Sequence, residues 1–433
     1  MLPRSSPRRI FPEGAQTLEI NGEISSKEFA VLPGTPCFQT FVIDRDLHVT
    51  PSEWAFTVAA VGDRPCYSLD LIFHSAGSVV GRMVVTAARR GASQPIPAHT
   101  NSEPLTLPTV SGAGVVLFIA ERGTDFDFVV FANGTRILDR SCDALMYDYF
   151  DLFDQARCLD RLQELGASLR NELPIDIVEL LDRYSASQTP ILIMSNGRVA
   201  PFEMVQLCPE KNGPFLGATQ PVLRWIYERT PPADAIQEHQ AACLRPSYQG
   251  TDTLPDAIEE ERNLASHLQL IHAGTKHEFD SMVLNNPAIG LLHFAGHAQA
   301  APALLKLEAD ETLEPAAFHP RYPLMNQGRP FVFLNGCEIG CGSGTVPAPV
   351  GNMVKTLLKN GCRAVVAPFV KVQTVASRKA AETFYEASES ETIGEAVRRV
   401  REHAADPSTP EDQRATFLSY AAFAMPAVRL VWH

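Results

Sequence analysis

Two short stretches constrain this chain more than any other feature. They are Gly290-Leu-Leu-His-Phe-Ala-Gly-His-Ala298 and Pro330-Phe-Val-Phe-Leu-Asn-Gly-Cys-Glu-Ile-Gly340. Each opens as an apolar run of strand length, then breaks into glycine just before a reactive side chain. That side chain is His297 in the first and Cys337 in the second. Strand ends of this kind, side by side in a parallel sheet, put functional groups at its carboxyl edge. A Cys and a His placed there form a thiolate–imidazole pair: imidazole takes the thiol proton and sulfur attacks a carbonyl carbon. The two residues are 40 positions apart, room for one excursion and one further strand.

Each residue has a plainer reading. Most free cysteines are small buried hydrophobes. Gly336 and Gly340 bracket Cys337, however, and let the chain turn and a substrate backbone approach. With the His strand beside it, Cys337 reads as a nucleophile. His293 competes for the role of base, but it sits inside the apolar run, where a buried, hydrogen-bonded His is the common case. His297 follows Gly296 at the strand end and reads as general base, then acid. His293 reads as support from behind. Cys341, four residues after Cys337, lacks the second ligand pair a zinc site needs, so no metal is expected; its default role is passive, with a regulatory disulfide to Cys337 as the alternative. Cys362 lies in an apolar strand and reads as core. His48, His74 and His99 are isolated and read as structural or surface residues. The dyad calls for no cofactor.

Composition narrows the partners. A chain of 433 residues is long enough for two domains with real cores. The net charge of −13, from 50 acidic against 37 basic residues, disfavours a nucleic-acid groove and an anionic membrane surface. Nine scattered cysteines, an odd number without repeated spacing, read as reduced thiols in a cytoplasm. No apolar segment follows Arg4, Arg8 and Arg9, so no signal peptide is expected, and no run approaches a membrane span. Asn133-Gly-Thr135 reads as a turn.

Periodicity divides the chain into three. Residues 1–140 read as a β-rich interaction domain, sandwich-like, with runs such as Phe38–Asp44, Cys66–Phe73, Gly114–Ala120 and Phe126–Phe131 between turn clusters. Arg90 to Gly112 reads as a long exposed loop. Residues 141–185 read as a helical connector. Residues 186–433 alternate strands and helices, which means an α/β domain with a mostly parallel sheet flanked by helices. Within it, Glu228 to Pro255 reads as a loop. Asp256 to Leu270 reads as a helix with Ile258, Leu264 and Leu268 on one face. Ala298 to Arg329 is an excursion, and Ala427 to Trp432 a last strand.

His293-Phe-Ala-Gly-His297-Ala298 and Phe333-Leu-Asn-Gly-Cys337-Glu-Ile-Gly340 resemble the signature strands of CHAT peptidases. These are caspase-fold cysteine proteases, related to separase and caspases and common in bacterial defence and signalling. Pro201-Phe202-Glu203, Pro214-Phe-Leu-Gly217, Val222-Leu-Arg-Trp225 and Met425-Pro-Ala-Val-Arg-Leu430 are similar to further segments of that family. A His about 50 residues ahead of the Cys is the caspase order as well. The resemblance covers roughly residues 185–433.

It implies a cysteine endopeptidase with His297 and Cys337 as dyad and the Ala298 and Cys337 amides as oxyanion hole. Many relatives carry glycine at the position of Ala298; if the backbone there needs φ > 0, alanine is strained by about 1 kcal/mol. Relatives that cut after Arg or Lys carry Asp where this chain has Asn335. Separase-like relatives carry acids where it has Phe369 to Thr374, including Lys371. Asn335 and Lys371 therefore point to a neutral, polar or acidic P1 residue. The implied setting is cytoplasmic antiviral defence or signalling, with specific protein substrates and an activating protein bound by the β-rich domain. The 298–329 excursion is the expected mobile or cleaved element. Two rivals stand beside this: a catalytically silent CHAT scaffold acting through the β-rich domain, and a thiol acyltransferase or other hydrolase using the same dyad.

Overall fold

The computed structural model describes residues 17–25, 29–31, 38–44, 49–50, 54–55, 58–60, 66–75 and 78–88. It then describes 114–336 and 352–432 apart from short connections at 123–124, 133–134, 144–148, 157, 186, 188, 196–199, 210–212, 227–234, 239 and 301–302. Contacts divide the chain into two units, Met1–Val110 and Ser111–His433.

The described part of the first unit is all β. Five antiparallel strands run in the order Val49–Thr50, Phe38–Asp44, Thr17–Ser25, Cys66–Ser75, Ser78–Ala88. Phe29–Val31 and Val58–Ala60 form a separate antiparallel pair. Ile24, Leu69 and Leu71 make a small core, covered by Trp54 and Phe73. The Arg90–Gly112 segment and His48 and His99 lie outside the described residues.

The second unit is built on an 11-stranded sheet. Its order is Thr135–Asp143, Asp125–Ala132, Val115–Arg122, Ile191–Met194, Val222–Trp225, Tyr420–Phe423, Ala364–Pro368, Phe331–Asn335, Ile289–Ala295, Gln240–Leu244, Leu270–Ala273. Two parallel blocks meet along one antiparallel seam, Ala364–Pro368 against Tyr420–Phe423. Antiparallel strands close the far edge. The central strands are buried along their whole length, from Ile289 to Ala295 and from Phe331 to Asn335. Burial on both faces is why these runs read as continuously apolar. Among the described residues no helix is long and apolar enough to cross a membrane.

The structure departs from the sequence reading in several places. The strands over 115–143, placed by the sequence in the first domain, pair into the large sheet through Val115–Phe118 against Ile191–Met194. The contact boundary therefore falls at 110, not 140. The 141–185 helices also belong to this unit: Gly166 packs so closely that a Cβ there would meet the Met204 carbonyl oxygen at 2.5 Å. The supposed loop 228–255 contributes Gln240–Leu244 to the large sheet, between Ile289–Ala295 and the edge strand Leu270–Ala273. The last strand, Arg429–Trp432, pairs with Ala235–Glu238 outside the large sheet, whose seam strand is Tyr420–Phe423. The 298–329 excursion is structured too, with a three-stranded antiparallel sheet, Ala298–Ala300, Ala303–Lys306 and Thr312–Leu313.

Glu203, from the Pro-Phe-Glu segment, is wholly buried. Arg224 grips it with two hydrogen bonds, 2.8 and 2.7 Å, and Arg401, also fully buried, stands 3.8 Å away. Burial alone pushes the Glu203 carboxyl up, but the charge and hydrogen bonds of Arg224, with Arg401 beyond, hold it below the ordinary glutamate range. Burial pulls Arg401 down to about 10. Glu203→Ala removes the carboxylate that both guanidinia face. It is expected to lose about 3–5 kcal/mol of folding stability at neutral pH, read as a lower urea midpoint. A lowered native pKa contributes stability above the ordinary glutamate range and loses it on acidification. The gap between wild type and variant is therefore expected to narrow as the pH falls through that range.

Candidate active site

Ile289–Ala295 and Phe331–Asn335 are parallel neighbours with Ala295 opposite Asn335. One step further, the Gly296 N–H donates to the Asn335 carbonyl at 3.2 Å. His297 and Cys337 each follow two residues past that last strand pair. A Cβ on Gly336 would sit 2.7 Å from the Ala298 Cβ and 3.1 Å from the Gly296 carbonyl oxygen. Glycine is what lets the two strand tips approach so closely. Cys337, Gly340 and Cys341 lie outside the described residues.

His297 opens on a cleft and is held from three sides. Its Nε2 lies 3.0 Å from the Asp252 carbonyl oxygen. A carbonyl only accepts, so Nε2 carries the proton and, in the neutral ring, Nδ1 is the basic nitrogen. The Tyr248 ring packs on the imidazole, centroids 4.6 Å apart. The Tyr248 hydroxyl accepts the His297 N–H at 3.0 Å and donates to the Lys306 carbonyl at 2.8 Å. Burial, with Asp252 and Glu308 nearby, pushes this phenol up to about 12 against the pull of the His297 amide.

Ala298 begins a strand paired with Leu305. Lys306 N–H donates to the His297 carbonyl at 2.9 Å. By the alternation of an antiparallel ladder, the Ala298 N–H then points away from that partner strand. Ala298 is not among the residues with positive φ, so the strain expected for alanine does not arise.

His293 has a different environment. It is fully buried, with Nδ1 2.7 Å from the Tyr385 hydroxyl and its ring stacked on Phe333 at 5.4 Å. Its Nε2 stands 2.7 Å from Glu260 Oε1 but off the line of a hydrogen bond. Cys243, opposite His293 on the next strand, is buried, and burial with the nearby Glu261 and Glu260 carboxylates pushes its thiol well up; it is no rival nucleophile.

The cleft beside His297 has a volume of about 120 Å³, and Leu254, Asp256, Glu260, Asn335, Val372 and Ser377 are among its walls. Asn335 lines it, but its amide is committed to the scaffold. Nδ2 donates to Glu260 Oε1 at 2.7 Å and to the Ser377 carbonyl at 3.0 Å, while Oδ1 accepts from the Tyr420 hydroxyl at 2.5 Å. Lys371 does not line the cleft; it is exposed, with its ammonium 3.8 Å from Asp154. The 369–374 segment contributes Val372 and Thr374 instead.

Sequence reasoning missed Tyr248 and Asp252, which sit in the stretch read as loop and carry no local pattern. It also missed Glu260 as part of a site. Helical spacing could have found it, since Ala257, Glu260 and Leu264 form the buried face. Ile258, assigned to that face, is 44% exposed.

Residues 223–427 match the family model of the CHAT domain. This segment is a CHAT domain. No curated protein sequence matches the chain. Among solved structures it is similar to the Arg-specific cysteine proteinase gingipain R, with a TM-score of 0.42, 12% identity and coverage of 60% of this chain and 69% of that one. It is also similar to Saccharomyces cerevisiae separase in its complex with securin, with a TM-score of 0.46 and 9% identity. That match covers 75% of this chain but only 30% of the other.

The Asn335 contacts of the CHAT domain make a definite prediction. Asn335→Asp sets a second carboxylate 2.7 Å from Glu260 in a buried site. It is expected to cost about 3 kcal/mol of stability at neutral pH, and less in acid, where one carboxyl takes a proton. Urea unfolding at pH 7 and pH 5 reads this.

Proposed function

We propose that the chain is a cysteine endopeptidase of caspase-like fold, with Cys337 as nucleophile and His297 as base and acid. One observation carries the reading. The parallel register brings the His297 and Gly336 strand tips to one level, with the imidazole proton held on Nε2 by Asp252. The peptide bond from Gly336 keeps the Cys337 Cα about 3.8 Å from the Gly336 Cα.

Nδ1 takes the thiol proton, and the sulfur attacks the scissile carbonyl carbon. The carbonyl oxygen gains charge and is received by the Ala298 and Cys337 amides. As the C–N bond breaks, His297 returns the proton to the leaving amine. Water, deprotonated by His297, then cleaves the thioester and regenerates the thiol.

The family resemblance supports a bacterial defence or signalling setting, with a few specific protein substrates and an activating protein bound by the first unit. The scattered cysteines support a reducing cytoplasm. For the P1 residue, the cleft walls among the described residues include Asp256 and Glu260 and no Lys or Arg. The carboxylates oppose an acidic side chain, and since Asp256 is already paired with Arg378 and Glu260 accepts from Asn335, we favour a neutral one with hydrogen-bond donors. A peptide library scanned at P1 is expected to be depleted of Asp and Glu; enrichment of either overturns this choice.

The dyad is tested without a known substrate. Alkylation of Cys337 by iodoacetamide, read by mass spectrometry, is expected to be fast at neutral pH. It should slow by about tenfold or more in His297→Ala, whose thiol titrates near its free value. Equal rates in the two proteins overturn the reading.

A further inference from the structure

We propose that Tyr248 is a positioning residue for the His297 imidazole, acting through a hydroxyl inserted between two backbones; this rests on the dyad proposed above. His297 and Lys306 lie across from each other where the Ala298–Ala300 and Ala303–Lys306 strands begin to separate. In a regular antiparallel pair they would exchange two N–H···O bonds. One is present: Lys306 N–H donates to the His297 carbonyl at 2.9 Å. In place of the other stands the Tyr248 hydroxyl, which accepts from His297 N–H at 3.0 Å and donates to the Lys306 carbonyl at 2.8 Å. The ladder is thus widened on one side by the diameter of an oxygen. The backbone that carries the imidazole is held at that wider setting.

The same segment holds the ring. The Tyr248 ring covers one imidazole face, and the Asp252 main-chain carbonyl, four residues on, accepts a hydrogen bond from Nε2. The segment is anchored independently, since Ser247 N–H donates to Glu308 Oε1 at 2.9 Å. Gly296 belongs to the device, because a Cβ there would sit 2.6 Å from the Tyr248 hydroxyl. Backbone height, ring plane and tautomer of His297 are therefore all set from residues 247–252. Without the hydroxyl, His297 N–H and Lys306 C=O either close on each other or take a water between them. Either outcome moves Nδ1 relative to Gly336.

Tyr248→Phe keeps the ring and removes the bridge. The test is the pH profile of Cys337 alkylation by iodoacetamide in the full chain, for wild type, His297→Ala and Tyr248→Phe, with thermal melting as a check on folding. Tyr248→Phe is expected to lower the neutral-pH rate about ten- to a hundredfold. Its inflection should move up toward the free-thiol value of about 8.5, while the protein melts cooperatively. A merely structural contact would change melting and leave the inflection alone. A shifted profile in His297→Ala with Tyr248→Phe overlaying the wild type overturns the role of Tyr248 and leaves the dyad standing. A profile unchanged in His297→Ala overturns the dyad and this inference with it. Should Tyr248→Phe not fold, Gly296→Ala presses on the same hydroxyl with Tyr248 in place and is expected to shift the inflection in the same direction; no shift there overturns the proposal.

Discussion

Gly336 has no space for a side chain, because a Cβ would meet the Ala298 methyl at 2.7 Å and Phe294 Cε1 at 3.0 Å. That clearance lets the two strand tips approach, as the proposed pairing of His297 with Cys337 requires. Parallel strands lie about 4.8 Å apart. Two reactive side chains leaving them at one level can meet only if nothing fills the step between. Both motifs therefore end in the same way, an apolar run, then glycine, then the reactive residue. Phe294, whose ring lies against both Gly296 and Gly336, closes the floor beneath the step.

Behind this step lies a cluster of buried polar side chains between the sheet and two helices. Glu260, His293, Asn335, Tyr385 and Tyr420 are all buried and joined by contacts of 2.5 to 2.7 Å. Buried polar groups are tolerated when they satisfy one another, and they then fix one arrangement rather than many. Burial also separates the two histidines of the first motif. A base must reach both thiol and leaving group. His293 has no exposed surface and spends Nδ1 on Tyr385, whereas His297 borders the cleft.

The two signature strands were legible because burial on both faces leaves an unbroken apolar run, and glycine marks its end. The same rule explains what was not legible. Gln240-Ala-Ala-Cys-Leu244 is a strand paired on both sides, but with two alanines it carries little strand signal, so the polar sequence around it prevailed. The runs at 114–120 and 126–131 were readable as strands, yet which sheet they join depends on pairing with Ile191–Met194, a contact across some seventy residues that no local pattern encodes. Asn335 was read from its place two residues before Cys337. Its actual partners, Glu260, Ser377 and Tyr420, come from three distant segments. Tyr248 and Asp252 act through a hydroxyl and a main-chain oxygen, and a carbonyl has no residue type to recognise.

The antiparallel seam follows from the same geometry. Tyr420–Phe423 runs against Ala364–Pro368, so its first residue, Tyr420, stands opposite Pro368, the last of its neighbour. A strand entering in this sense delivers its beginning, not its end, to the carboxyl edge where the site lies. Tyr420 can therefore reach Asn335 with its hydroxyl while its carbonyl accepts from Arg401 Nε at 2.8 Å. Arg401 in turn faces Glu203, itself gripped by Arg224 of the other parallel block. One continuous set of contacts thus runs from the Glu203 cluster, through the reversed strand, to the residue just before Gly336. A parallel strand at the seam would have kept the sheet uniform but turned Tyr420 to the opposite edge, leaving the Asn335 carbonyl oxygen of the side chain without its buried donor.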